Sequence, residues 1–214
     1  MIIYKFDSQT LSKSFHVSAI KGQFKDINHY TILDRLARGL PCPIQYPVLF
    51  KQTMGRVPCD IIDTGMISLI LVSDRLRGLI EAHGGNGCSF FSVRVEDKIG
   101  VEVPGYHGLS IQGRCGSISY AQSVRLVKPP IYEGGPTSSY LRGQFPDMSL
   151  WDGSDVFSPL DNYSIFITEE LALPLLNAKL SNCRIRPADE IEVWESLATT
   201  GNQNRNLDQE LMSD

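Results

Sequence analysis

Two side chains of this sequence are of types that could do covalent chemistry together: the thiol of Cys115 and the imidazole of His107. Cys115 lies in the string Gly113-Arg114-Cys115-Gly116, where the arginine charge would favour the reactive thiolate. His107 is a candidate base for that thiol. The hypothesis of a thiol-dependent enzyme therefore predicts a lowered pKa for the Cys115 thiol and a histidine within hydrogen-bonding distance of it. The alternative is that Cys115 is a small apolar residue buried in a glycine-rich turn.

The string Trp-Asp-Gly-Ser-Asp-Val-Phe at 151–157 is the most distinctive short segment of the chain. In a structural interpretation Asp152 begins a turn, Asp155 bonds back to the backbone, and Trp151 packs in the core. In a functional interpretation the same three residues form a patch for a protein partner, in which tryptophan is a favoured anchor. Trp151, Asp152 and Asp155 are therefore the candidate partner-binding residues.

Motifs for metal or phosphate binding do not stand out. The histidines share no short-range pairing with one another or with the cysteines, although metal sites with close ligand spacing would need one. A phosphate-binding loop places glycines between a strand and the next helix, whereas Gly84, Gly85 and Gly87 follow a predicted helix and indicate its end. We therefore predict no metal site, no cofactor and no catalytic residue in the favoured interpretation.

The elements that must position these residues include a repeat. Residues 70–90 and 165–185 share one pattern at an offset of 95 residues: an apolar strand, a hydroxyl and a carboxylate at a helix start, and a cysteine before a second strand. Ser73 and Thr168 are predicted to cap their helices, and the carboxylate after each favours the positive end of the helix dipole. Cys88 and Cys183 occupy matching positions and are interpreted as core residues.

Further patterns locate other elements. Apolar residues at helical spacing predict a helix from about Tyr30 to Arg38. The nearly continuous apolar run from Gly65 to Val72 predicts a strand covered on both faces. Pro174 lies inside the second predicted helix and should kink it or delay its start. Four shorter segments have the composition of strands: 2–6, 89–95, 109–111 and 123–127.

Composition indicates which kinds of partner and which cellular compartment to expect. The 20 lysines and arginines against 24 aspartates and glutamates give a net charge of −4 without a basic stripe, so we expect no nucleic-acid partner. Five cysteines without a close pair favour a reducing compartment. Charge comes too early after Met1 for a signal peptide, and no apolar run reaches membrane-spanning length. We therefore expect a cytoplasmic protein without a membrane partner.

These patterns predict an α+β fold, with a mixed or antiparallel sheet, helices on one side, and two related β-α-β units around 66–95 and 162–193. Its 214 residues are enough for a substantial core. We expect one domain over 1–197, or two packed lobes at 1–100 and 101–197. The polar composition of 198–214 predicts a disordered tail.

Four segments together resemble the myxobacterial-type immunity proteins of bacterial polymorphic toxin systems. They are Asp60-Ile61-Ile62-Asp63-Thr64-Gly65, Leu71-Val72-Ser73-Asp74-Arg75-Leu76, Gly153-Ser154-Asp155-Val156-Phe157 and Ile165-Phe166-Ile167-Thr168-Glu169-Glu170-Leu171. The similarity covers roughly 59–95 and 151–193. It implies a non-enzymatic immunity protein that binds and neutralises a cognate toxin or effector, and it transfers no catalytic residues.

Two other functions stay open beside this one. The hypothesis of a small-molecule-binding or regulatory module predicts an enclosed apolar pocket with convergent polar groups. A thiol-dependent enzyme would use Cys115 and His107. The sequence leaves the oligomeric state, the identity of the toxin and the binding surface open.

Overall fold

The computed structural model describes residues 1–9, 13–24, 28–44, 47–66 and 69–200, with only the backbone at 199 and 200. Residues 201–214, which hold most of the predicted disordered tail, lie outside the described residues. Within the described ranges, no helix has the length and apolar character needed to cross a membrane.

Helices and strands are short, and strands predominate. The α-helices of the described ranges are α1 (His29–Ala37), α2 (Asp74–Ala82), α3 (Glu169–Asn177) and α4 (Glu195–Thr200). The strands of the first half are β1 (Ile3–Ser8), β2 (His16–Ala19), β3 (Val48–Met54), β4 (Ile61–Met66), β5 (Leu69–Ser73), β6 (Cys88–Glu96) and β7 (Tyr106–Ile111). Those of the second half are β8 (Gly113–Cys115), β9 (Ile118–Ser119), β10 (Val124–Lys128), β11 (Ser138–Arg142), β12 (Phe145–Pro146), β13 (Val156–Pro159), β14 (Ile165–Thr168), β15 (Cys183–Pro187) and β16 (Glu192–Trp194). Single turns of 3-10 helix lie at Met148–Leu150 and Ala188–Glu190.

Six strands close into a barrel in the order β2-β3-β6-β7-β5-β4. Most neighbours are antiparallel, while β2 with β4 and β3 with β6 are parallel, so the barrel is mixed. Its interior holds fully buried side chains such as Phe50, Ile62 and Leu71, and α1 packs Ile32 and Leu36 into the same cluster. Among the described residues, this cluster is one of three apolar cores.

A five-stranded sheet in the order β15-β1-β14-β13-β8 lies beside the barrel. The N-terminal strand β1 is antiparallel to both of its neighbours, β14 and β15, which come from the end of the chain. The sheet therefore joins distant parts of the sequence.

A second apolar core lies between the barrel and this sheet. It includes Ile61 and Val72 from the barrel and Val156 and Ile167 from the sheet. Helices α2 and α3 contact each other and contribute Leu76, Ile80, Leu171 and Leu175 to the same cluster. The opposite face of the sheet carries the third core, around Cys115, Phe157 and Phe166.

The chain therefore has the α+β class and mixed sheets that the sequence predicts. In the segment β5-α2-β6, the two strands do not pair with each other, because both lie antiparallel to β7 on its two sides. In the segment β14-α3-β15, both strands flank β1 in the same way.

One predicted strand is wrong in its extent. The apolar run Gly65 to Val72 divides between β4 and β5, which pair as antiparallel neighbours. Gly65 has a positive φ of 74°, and the Asp63 carboxylate accepts a hydrogen bond from its N–H at 2.8 Å. The pairing shifts register between Asp63 and Met66, as at a β-bulge. Because β4 and β5 run antiparallel, the apolar run belongs to two strands where continuous hydrophobicity predicts one.

The predicted side-chain cap forms at the start of α2 but not at the start of α3. The Ser73 hydroxyl accepts a hydrogen bond from Leu76 N–H at 3.2 Å at the start of α2. Thr168 makes no such bond, although α3 begins directly after it at Glu169. Pro174 lies within α3 and does not delay its start.

Candidate functional site

Trp151 is half-buried and packs into the third apolar core. Its indole N–H donates a hydrogen bond to the backbone oxygen of Ser154 at 2.9 Å. Its ring centroid lies 6.0 Å from that of the fully buried Phe157. The side chain therefore fixes the 151–157 loop against the sheet.

Asp152 is exposed but holds the loop together through its carboxylate. One oxygen accepts from the backbone N–H of Arg114 at 2.8 Å, and the other accepts from the N–H of Ser154 at 3.1 Å and from the Ser154 hydroxyl. Burial would raise the pKa of Asp152, but these hydrogen bonds outweigh it and hold the pKa below its ordinary value.

Asp155 makes contacts with two other parts of the chain. Its carboxylate accepts a hydrogen bond from the Thr168 hydroxyl at 2.9 Å, and its N–H donates to the side-chain oxygen of Asn86 at 2.8 Å. The contacts of Trp151, Asp152 and Asp155 are thus those of a structural loop. Partner binding by these three residues stays a prediction.

Asp60 lies 95 residues before Asp155 in the sequence. Like Asp155, it accepts a hydrogen bond from the hydroxyl group at the start of a helix. Its carboxylate accepts from the Ser73 hydroxyl at 2.8 Å, and its backbone oxygen accepts from Ser73 N–H at 2.9 Å. The backbone oxygen of Asp155 likewise accepts from Thr168 N–H at 3.0 Å. Each aspartate therefore joins the start of one strand to the cap of the following helix.

The loops after the two helices exchange contacts. Ser181 follows α3, and its hydroxyl accepts a hydrogen bond from Asp60 N–H at 2.8 Å. Asn86 follows α2 and accepts from Asp155 N–H at the same distance. The loop after α3 therefore holds Asp60 in place, and the loop after α2 holds Asp155 in place, each through a hydrogen bond.

The Asp60 carboxylate accepts more hydrogen bonds than the Asp155 carboxylate. Its second oxygen accepts from the backbone N–H of Ser181 at 2.7 Å and from the Ser181 hydroxyl at 2.8 Å, with Arg75 at 3.4 Å. Burial would raise its pKa, but the hydrogen bonds from Ser181 and Ser73 and the charge of Arg75 hold the pKa below its ordinary value.

Cys115 does not have the properties that a thiol enzyme predicts. The residue is fully buried, and burial, with the negative charges of Asp147, Asp152 and Asp161, raises the pKa of its thiol to about 12. Both ring nitrogens of His107 have other partners, with Nε2 2.7 Å from an Asp74 carboxylate oxygen and Nδ1 3.4 Å from Arg77. The predicted lowering of the thiol pKa is therefore wrong.

Cys88 and Cys183 begin β6 and β15 and pack against the second apolar core, as the sequence predicts. Burial raises the pKa of each of these thiols to about 12. Among the described residues, no group of three or more histidine, cysteine, aspartate or glutamate side chains converges as metal ligands would.

An open cavity of about 640 Å³ lies where the end of β4 meets β1 and the start of β14. Its apolar floor includes Phe6, Ile70 and Ile165, and its rim includes the carboxylates of Asp7 and Asp63. These carboxylates already accept hydrogen bonds within the protein, from Arg184 and from Ser8. The volume falls within the range of small-molecule sites, and a small-molecule-binding or regulatory role stays a prediction.

A separate three-stranded sheet, β10-β11-β16, carries exposed apolar side chains, among them Val124, Val127 and Trp194. Leu126, Tyr140 and Trp194 lie opposite one another across its strands and form what we term the aromatic row. The rings of Tyr140 and Trp194 are 4.5 Å apart, and the Lys128 ammonium lies 4.5 Å from the Tyr140 ring. Trp194 remains 45% exposed.

Sequence reasoning did not identify this row, although it predicted a strand at 123–127. The alternation of Val124, Leu126 and Lys128 was the available signal for one face of that strand. The partners Tyr140 and Trp194 lie 14 and 68 residues further along the chain, so only the folded sheet brings them together.

Comparison with known families gives a match over most of the chain. The model of the Immunity protein family (Imm11) matches residues 25–190. Comparison with curated proteins found no match.

Proposed function

The chain belongs to the Immunity protein family (Imm11), and we propose that it binds a cognate toxin or effector protein, neutralises it and so protects the producing cell. The family match over residues 25–190 is the observation that carries this proposal. A cytoplasmic location is part of this proposal, and the five cysteines without a close pair support a reducing compartment. Neutralisation by binding requires no reaction, because covering the active site of a toxin or holding it in an inactive form is sufficient.

The state of the thiols supports a binding role over thiol catalysis. The thiolate is the nucleophile in thiol catalysis, and a pKa of about 12 leaves Cys115 protonated near neutral pH. Its complete burial also keeps it from a substrate. Association through a surface of about 800 Å² per partner uses a few aromatic and charged anchors instead.

Trp151, Asp152 and Asp155 remain proposed partner-binding residues within this function. Asp152 is the exposed member of the three, so its carboxylate is the group that a partner can reach most readily. The hydrogen bonds from Arg114 and Ser154 hold that carboxylate in one position, which reduces the entropy lost when a partner binds it.

Expression of the protein encoded immediately upstream tests the proposed function. We expect that protein to be toxic when expressed alone and harmless when this chain is co-expressed, and we expect the two proteins to co-purify. A harmless upstream protein, or the absence of a complex, would remove the basis of the assignment. Expression of an unrelated soluble protein in place of this chain is the control.

We also propose that the segments β4-β5-α2-β6 and β13-β14-α3-β15 are related units. Three correspondences at the offset of 95 support this: the Asp60–Ser73 and Asp155–Thr168 pairs, the crossed contacts of Ser181 and Asn86, and matching strand registers. In this proposal β1 completes the second unit as β7 completes the first. An experimental structure in which the two units fail to superimpose would contradict it.

A further inference from the structure

A pocket with a basic lining lies at one end of the barrel, beside the loops before β2 and after β3 and β6. The pocket is open, measures about 450 Å³, and has a described lining of Lys13, Gly55, Arg56, Val57 and Lys98. Three of these five residues are cations, and none is a carboxylate. A concave surface lined by charges of one sign attracts groups of the opposite sign, so this pocket favours anionic groups.

Close backbone contacts hold two of the cations in place. The backbone oxygen of Lys13 accepts hydrogen bonds from the N–H groups of Arg56 and Val57, at 3.1 and 3.2 Å. Gly55 has a positive φ of 70°, and a Cβ at this position would lie 1.7 Å from the Ser14 backbone oxygen. Only glycine therefore allows the two segments to approach this closely.

The Gln52 side chain fixes the third cation to the same site. Its amide oxygen accepts a hydrogen bond from Lys98 N–H at 3.0 Å, and its amide N–H donates to the Gly55 backbone oxygen at 2.6 Å. The loop of Lys98 is closed by Asp97, whose carboxylate accepts from two backbone N–H groups of that loop at 2.9 and 2.8 Å. The backbone that carries all three cations is thus fixed in the free protein, which lowers the entropy lost on binding.

The positive charge of the pocket is not neutralised within the described part of the chain. All three cations are exposed, and no ion pair there involves any of them. The nearby carboxylates of Glu96 and Glu102 both pair with Arg94, at 3.1 and 3.6 Å. The segments at this end of the barrel, 13–14, 48–57 and 94–102, together carry five basic and three acidic side chains. An excess of positive charge therefore remains here, in a chain whose net charge is −4.

Exposed apolar side chains lie beside the cations. Val57 in the pocket lining is 53% exposed, and Ile99, next to Lys98 in the chain, is 86% exposed. A small anion would use the cations alone, whereas a protein segment with carboxylates and apolar side chains would use both kinds of contact. The surface therefore fits an acidic protein better than a small anion.

We propose that the basic pocket of Lys13, Arg56 and Lys98 is a docking point for the cognate toxin, which places carboxylates of an acidic surface segment against these three cations. Apolar side chains beside those carboxylates pack on Val57 and Ile99. Because the pocket is positive on a chain of negative net charge, it also orients the toxin as it approaches. This inference rests on the proposed immunity function and gives that function a surface and a partner chemistry.

The test measures binding of the full chain to the purified protein encoded upstream. Arg56→Glu and Lys98→Glu should each weaken binding about fivefold or more, mainly by slowing association, because charges at the rim of an interface act chiefly on the association rate. Lys21→Glu is the matched control, since Lys21 is also exposed but lies beyond the opposite end of β2. It changes the net charge by the same amount and should alter the affinity far less. Circular dichroism and urea unfolding identify any variant that loses its fold.

Salt dependence supplies a readout that a loss of structure would not imitate. The affinity of the wild-type chain should fall as the salt concentration rises, because salt screens the attraction between exposed charges. The double variant Arg56→Glu/Lys98→Glu should lose most of this dependence, whereas Lys21→Glu should keep it.

The outcomes separate this docking point from the immunity function. If the wild-type chain binds and protects but charge reversal leaves the affinity, the association rate and the salt dependence unchanged, the docking point is wrong while the immunity function stands. If the wild-type chain neither binds nor protects, both proposals fail. Binding of inorganic phosphate at these cations in an NMR titration, with toxin binding unaffected by the two variants, would indicate a small-anion site and also overturn the docking point.

Discussion

Replacement of Asp60 by alanine should destabilise the protein far more than the matching replacement of Asp155. The Asp60 carboxylate accepts hydrogen bonds from Ser73 and from two groups of Ser181, and Arg75 lies nearby. Its side chain is only 10% exposed, so water cannot replace all of these partners. The Asp155 carboxylate accepts one such bond, from Thr168.

The expected magnitudes follow from these partners. A hydrogen bond to a charged group contributes about 1.5–3 kcal/mol, and the bonds of one carboxylate are not additive, so Asp60→Ala should lower the free energy of unfolding by about 3 kcal/mol. Asp155 is only half-buried, so water can partly replace its one partner, and Asp155→Ala should lower the free energy of unfolding by about 1 kcal/mol. For a chain of this length the corresponding decreases in Tm are about 6–12 °C and about 2–4 °C.

Urea unfolding and thermal unfolding at pH 7 measure both variants against the wild-type chain. Because the pKa of Asp60 is lowered in the folded protein, its stabilisation is present above the unfolded pKa of about 3.9 and is lost as the pH falls through the lower folded value. The difference between wild type and Asp60→Ala should therefore narrow below about pH 4. Equal effects of the two substitutions at pH 7, or a difference that widens in acid, would refute the reasoning.

Other predictions concern glycines and thiols. Gly87→Ala should destabilise by about 3 kcal/mol and Gly84→Ala by about 1 kcal/mol in urea unfolding. Both glycines have positive φ, but only at Gly87 would an added Cβ meet other atoms, 2.3 Å from the Val156 backbone oxygen and 2.4 Å from the Ser154 Cβ. Similar losses of unfolding free energy in the two variants would contradict this reasoning. Cys115 should resist alkylation by iodoacetamide at pH 8 in the folded protein and react in denaturant, because it is buried and its thiol pKa is about 12. Rapid labelling of folded protein at Cys115, mapped by mass spectrometry, would contradict that expectation.

Much of the local structure could be predicted from sequence because it depends on near neighbours. The helix predicted from about Tyr30 to Arg38 is α1, His29–Ala37, and the Ser73 cap of α2 forms as expected. The strand predicted at 89–95 is β6, Cys88–Glu96. The run Gly65 to Val72 belongs to two antiparallel strands where the sequence predicts one, because hydrophobicity alone does not reveal where one strand ends and the next begins.

The candidate site could be predicted only in part. Trp151, Asp152 and Asp155 were found because they stand together in one short string, yet their contacts with Ser154, Arg114 and Thr168 are chiefly internal. The aromatic row was missed because its members come from three strands. In the sequence Asp60 stands out only as part of the motif shared with immunity proteins, because its partner Ser181 lies 121 residues away.

The sequence by itself determined the α+β class, the presence of two strand-helix-strand segments and the resemblance to immunity proteins. These depend on hydrophobic periodicity, caps and short motifs, which are properties of adjacent residues. Only the tertiary structure decided that β1 lies between β14 and β15, that the loops of Asn86 and Ser181 fasten opposite segments, and that Tyr140 stacks on Trp194. The physical reason is that such contacts join residues far apart in the chain, so they exist only once burial of the three apolar cores has set the path of the backbone.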